Sequence, residues 1–275
     1  MPYSDLCREK ILSENYHDFI VSDIRMPFLQ DMLEKDCCLQ NPGFFYQCAY
    51  LSKSVIKPVS LENYSYFSIP KCYSLLSMQA LNQAGILPIQ NHSTIQLSGK
   101  QVMIGFLDTG IDYQNPVFQH LDKTTRIAGI WDQTIQSGTP PESFDYGSHY
   151  TPDMINEALA SEDPYSLVPS VDNNGHGTFL ASIAAGSGDP DAQFIGAAPE
   201  SVIAVVKLKQ AKQYLRDYYF IPNTAPAFQE NDIMLGMRYL HLLAEKLGLP
   251  LIFCLALGSN LGGHSGSLPL SIIAQ

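Results

Sequence analysis

Two short segments carry residue types that could do acid–base chemistry together. Phe106-Leu107-Asp108-Thr109-Gly110-Ile111-Asp112 brings an apolar run to a carboxylate, and Gly110 lets the chain turn just after it. Asp172-Asn173-Asn174-Gly175-His176-Gly177-Thr178 sets an imidazole between two glycines, ahead of the small or apolar residues Phe179, Leu180, Ala181, Ile183, Ala184 and Ala185. Singly, each has a plainer explanation: a turn aspartate satisfied by backbone amides, and a helix start with an incidental histidine. Jointly they match two members of a hydrolytic triad, in which a carboxylate orients an imidazole that takes the proton of a nucleophile. Asp108 and His176 are therefore the candidate catalytic residues.

Such a pair needs a scaffold that delivers both residues to one place. Residues 102–107, 201–208 and 250–257 are continuous apolar runs, the pattern of strands buried on both faces of a parallel sheet. Between the last two, Asn231 and Asp232 can cap a helix on which Ile233, Met237, Leu240, Ala244 and Leu247 recur, and Gly248-Leu249-Pro250 ends it. Residues 176–185 read as a second helix, closed by Gly186. Strand, helix and parallel strand form a right-handed crossover unit, and open α/β sheets place their sites beyond the carboxyl ends of the strands, where Asp108 falls. Residues 140–163 read as a long irregular connection.

Upstream the composition changes near residues 70–100, before which Tyr, Phe and Cys are frequent. Residues 17–24 read as a strand, 29–36 as a short helix, and 44–51 as a strand entered through the turn Asn41-Pro42-Gly43. The predicted fold class is α/β, a parallel sheet flanked by helices, preceded by a small α+β module. The expected division is residues 1–80 and 81–275.

The 275 residues are 45% hydrophobic, enough for a sizeable core, and carry a net charge of −11. An acidic surface repels nucleic acid and anionic membrane, so neither is an expected partner. None of the six cysteines is in a Cys-x-x-Cys pair, Cys37 and Cys38 are adjacent, and the histidines show no metal spacing. Reduced thiols are expected, with no disulfide framework, zinc site or other cofactor. Asp189 and Asp191 are too few ligands for calcium and read as a solvated acidic loop. No secretory leader and no membrane-length apolar stretch is visible, which predicts a cytoplasmic location.

Residues 108–112 and 174–178 resemble the two N-terminal signatures of the subtilases, which carry Asp, His and Ser in that chain order. Leu255-Ala256-Leu257-Gly258-Ser259 resembles the segment lining the subtilase peptide cleft, with Ala256 where many members have Ser. The resemblance is strongest to the Csp-type subtilases of clostridia and related anaerobes, on residues 127–135, Tyr146-Gly147, Tyr150-Thr151 and 205–212. It implies a subtilisin-like fold and a serine endopeptidase whose Leu257, Gly258 and Ser259 bind a protein or peptide substrate as an extended strand. It also implies that residues 1–80 are a prodomain that assists folding and inhibits the cleft.

The resemblance also exposes a gap. Subtilases have a later oxyanion-hole Asn and a Gly-Thr-Ser segment with the nucleophile, and no Gly-Thr-Ser occurs here. The sequence accordingly reads as the N-terminal part of a longer protease, inactive by itself. The alternative is a Csp-type pseudoprotease that regulates or binds, and the downstream residue at the Ser position separates the two. Gly263-His264-Ser265-Gly266-Ser267 comes near a nucleophile elbow but ends in Ser and lacks a following Asp and His. An aspartic protease would need a second Asp-Thr-Gly and would leave His176 without a role.

Overall fold

The computed structural model describes residues 5–22, 36–43, 45–75, 97–188, 195–259, 261–262 and 265–274. In chain order the strands are β1 (Tyr16–Ser22), β2 (Cys37–Gly43), β3 (Tyr46–Ser52), β4 (Cys72–Leu75), β5 (Met103–Asp108), β6 (Ile127–Asp132), β7 (Ser148–Tyr150), β8 (Val202–Lys207), β9 (Phe228–Gln229), β10 (Leu251–Cys254) and β11 (Leu257–Gly258). They make three sheets, ordered β1-β3-β2, β10-β5-β8-β6-β7 and β11-β4-β9.

The five-stranded sheet is the scaffold of the α/β part. β10, β5, β8 and β6 run parallel, and β7 closes one edge antiparallel to β6. Its apolar runs are explained by cover on both faces. Met103, Leu107, Ala204 and Val206 pack with Met234, Met237 and Leu240 of the helix Glu230–Leu247. The alternate residues Ile104, Phe106, Ile203 and Val205 pack with Ala181 and Ala185 of the helix His176–Ala185. The sheet is thus mixed rather than wholly parallel, within the predicted α/β class.

Residues 5–52 supply a helix, Asp5–Leu12, and the antiparallel sheet β1-β3-β2. The expected helix over 29–36 lies almost wholly outside the described residues, as do Asp189 and Asp191. Cys37–Gly43 is a strand rather than a turn approach, paired with β3 through a bulge between Gln40 and Gly43. Ile11, Ile20 and Tyr50 share one apolar cluster with Trp131, Ile233 and Met234. Over this contact lies a polar one. The buried Asp18 accepts hydrogen bonds from Lys212 Nζ, from Gln229 Nε2 at 2.6 Å and from Asn231 Nδ2 at 3.0 Å. The His17 ring stacks on Tyr214 with centroids 3.9 Å apart.

Four expectations need correction. The run 250–257 is not one strand: Leu251–Cys254 joins the five-stranded sheet, and Leu257–Gly258 joins another. The long helix starts at Glu230 behind Gln229 with no side-chain cap, and Asn231 and Asp232 are buried inside it. The stretch 140–163 is not irregular throughout, because it holds β7 and the helix Pro152–Leu159, capped by Thr151 with Pro at its first position. Cys7 and Cys38 form a disulfide, with Cα atoms 5.4 Å apart, while Cys37, Cys48, Cys72 and Cys254 are free thiols. Local spacing hid this pair because only the docking of the first helix on β2 brings the two together.

Candidate active site

Asp108 is the last residue of β5, and His176 is the first of its helix. Asp108 pairs with Lys207, the last residue of the neighbouring β8, so it sits at the carboxyl edge of the central sheet. His176 Nδ1 lies 2.8 Å from Asp108 Oδ1 and 3.0 Å from Oδ2. The Thr109 amide donates to Oδ1 at 2.7 Å. Burial pushes the Asp108 carboxyl up, against the opposing pull of His176 and Thr109. A carboxylate on Nδ1 selects the tautomer that carries its proton there and leaves Nε2 to exchange a proton with another group.

Asp172 holds the two segments together, a role that its place in the His176 motif did not disclose. Its Oδ1 accepts from Thr109 Oγ1 at 2.8 Å, Gly175 N at 2.9 Å and Asn174 N at 3.2 Å. Its Oδ2 accepts from Thr178 N at 2.9 Å and Thr178 Oγ1 at 2.7 Å. Burial works to raise this carboxyl, but the bonds from Thr178, Thr109 and Gly175 prevail and hold it below its ordinary value. Thr109 Oγ1 in turn accepts from Gly177 N at 3.0 Å, and Thr178 Oγ1 from Asp112 N at 2.9 Å. The signal was a third acidic residue with Thr on both partner segments, legible only once the segments are adjacent.

The glycines are required by closeness. A Cβ on Gly177 would overlap the Gly110 carbonyl oxygen and come within 3.1 Å of Asp108 Cβ, so only glycine lets the helix approach β5 closely. Gly110 itself has φ +125°, a backbone open to glycine. Beside the pair, Lys207 is ion-paired at 3.2 Å with Asp132, which is fully buried and also accepts from Ser170 Oγ at 2.7 Å.

Leu257 and Gly258 lie in β11, two residues after β10 leaves the central sheet beside β5. They pair antiparallel with Leu75 and Ser74 of β4. The other edge of β4 pairs with β9, Cys72 opposite Gln229 and Tyr73 opposite Phe228. β9 and β11 are thus two short walls with an extended segment of the same chain between them. Ser259 follows β11 and accepts from the Leu261 amide at 3.1 Å, a turn contact. Ser265 is exposed and bonds to Ser267 Oγ at 2.7 Å. Among the described residues no group of His, Cys, Asp and Glu could hold a metal ion, and no helix is long and apolar enough to cross a membrane.

Comparison with known proteins gives the same frame. Residues 99–233 match the model of the subtilase family. The subtilisin-like protease SBT2.2 of Arabidopsis thaliana is 32% identical over 131 residues, covering 41% of this chain and 15% of that protein. The subtilisin-like protease SBT2.1 of the same plant is 30% identical over 132 residues, with the same coverage of 41% and 15%. The structure of the Clostridium perfringens CspB protease superposes with a TM-score of 0.56 at 33% identity, over 69% of this chain and 36% of that one. The chain therefore spans well under half the length of each of these relatives. The motif segments, the sheet order and these likenesses agree: the chain is subtilisin-like in fold, and its residues 99–233 match the subtilase family.

Proposed function

We propose that Asp108 and His176 are the acid and base of a subtilisin-type serine endopeptidase, whose nucleophilic Ser and oxyanion-hole Asn lie in sequence following Gln275. The observation that carries this reading is the contact of 2.8 Å between His176 Nδ1 and a buried carboxylate at the carboxyl edge of the sheet. Asp108 holds the imidazole in the tautomer with the proton on Nδ1 and stabilises its positive charge after proton transfer. His176 takes the proton of the Ser hydroxyl through Nε2 and later gives it to the leaving amine. Leu257, Gly258 and Ser259 form one wall of the peptide cleft, where main-chain pairing holds an extended protein or peptide substrate. Residues 1–80 act as a prodomain, and β4 occupies the cleft as a substrate would. The 275 residues alone carry neither acyl-enzyme formation nor its charge stabilisation.

The test is made in the complete protein, including the sequence after Gln275. A fluorophosphonate probe should label it, and His176→Ala should abolish both labelling and self-processing. Labelling that survives His176→Ala would mean that the base is another residue. A protein with no labelling and no nucleophile at the Ser position would be a regulator built on the protease fold.

A further inference from the structure

The slot between β9 and β11 continues past the paired residues of β4. At its upstream end Lys71 and Glu230 are both fully buried. The Lys71 amide donates to Glu230 Oε2 at 3.2 Å, and the Glu230 amide donates to the Lys71 carbonyl at 2.7 Å. Lys71 Nζ lies 3.7 Å from Glu230 Oε2, donates to the Tyr66 carbonyl at 2.7 Å and sits 4.6 Å from the Tyr66 ring centroid. One carboxylate thus reads both the backbone and the side chain of the residue that leads into the slot. Tyr66 travels with Lys71 on the same stretch of chain, whereas Glu230 belongs to the wall, directly after β9.

Two physical terms make this carboxylate selective. Glu230 opens an 18-residue helix, whose aligned amides favour negative charge at that end. Burial acts against both charges, raising the Glu230 carboxyl and lowering the Lys71 amine, so each group depends on the other to stay ionised. A strand that brought a neutral side chain here would leave a carboxylate with no solvent and no counter-charge, which is the costly way to break a buried pair.

We propose that Glu230 is a specificity residue of the cleft, selecting extended chains that carry a lysine or arginine four positions before the residue that pairs with Leu257. The count follows from Leu75 opposite Leu257 and Lys71 on Glu230. The proposal rests on the reading above that this slot takes substrate strands.

The test uses labelled peptides that copy residues 69–80, with Lys, Arg, Gln or norleucine at the Lys71 position. Binding is measured by fluorescence anisotropy on the complete protein carrying His176→Ala, which keeps the peptides uncut. Competition by the chain's own β4 affects every peptide alike, so the ratio of affinities is the readout. Lys and Arg peptides should bind about tenfold to a hundredfold more tightly than the norleucine peptide. In Glu230→Gln that ratio should collapse towards unity. Equal affinities in the His176→Ala protein, no saturable binding, or a lysine preference that survives Glu230→Gln would each overturn the proposal. Cleavage by the protein with His176 intact is followed separately: a lysine preference in binding without turnover marks failure of the protease reading while the assignment of Glu230 stands.

Discussion

Replacing Asp172 tests whether the pairing of Asp108 with His176 is held in place from outside. Asp172 accepts five hydrogen bonds, one from Thr109 and four from residues 174–178. Hydrogen bonds to a charged group contribute about 1.5–3 kcal/mol each where water is excluded. Asn174 and Gly175 are exposed, so water replaces Asp172 at their amides with little loss. The three bonds from Thr109 and Thr178 remain, and Asp172 is itself only part-buried, so a discount of about half for solvent leaves about 2–4 kcal/mol for Asp172→Ala. For a protein of this size that lowers Tm by roughly 5–10 °C. The folded carboxyl is held below its ordinary value, so its contribution is complete above that value and disappears as pH falls through the folded pKa. Thermal unfolding of the wild type, Asp172→Asn and Asp172→Ala should therefore show a gap that is constant from neutral pH to about 5 and narrows below about 4. The imidazole N–H resonance of His176 should broaden in Asp172→Ala, because Thr109 loses the bond that fixes its hydroxyl against Gly177. A gap that widens with acid, or an unchanged Tm with an unchanged resonance, would refute this account.

Further substitutions probe the packing at the Asp108–His176 pair and the buried contact of β1 with Lys212. Gly177→Ala should destabilise by about 1–3 kcal/mol in urea unfolding and reduce probe labelling of the complete protein, since the new methyl overlaps the Gly110 carbonyl and presses on Asp108; wild-type stability would show that the helix and β5 can separate freely. Asp18→Ala should cost about 3–5 kcal/mol by leaving Lys212 buried without its partner, whereas Asp18→Leu combined with Lys212→Met should recover most of that loss. A double variant no better than the single one would mean that the bonds to Gln229 and Asn231, rather than the charge pair, hold β1 in place.

The amino-acid sequence determined what short-range physics controls. The runs around Met103–Asp108 and Val202–Lys207 announce strands because an apolar segment covered on both faces has no polar side to show. Glycine at 110, 175 and 177 marks where the backbone must turn or be approached, which is why Asp108 and His176 stand out as candidates from their surroundings. Tertiary structure decided everything that rests on two-residue pairings and on charges brought together over long separations. β9 and β11 are each only two residues long, too short for any periodicity, and they exist because β4 lies between them. Asn231 and Asp232 read as helix caps, the residue types that usually stay in water, until Asp18 and Lys209 arrive from distant segments and permit their burial. Asp172 and Glu230 belong to the same class. A carboxylate's partners are fixed by where the chain folds back, and one residue's neighbours in sequence carry no record of that.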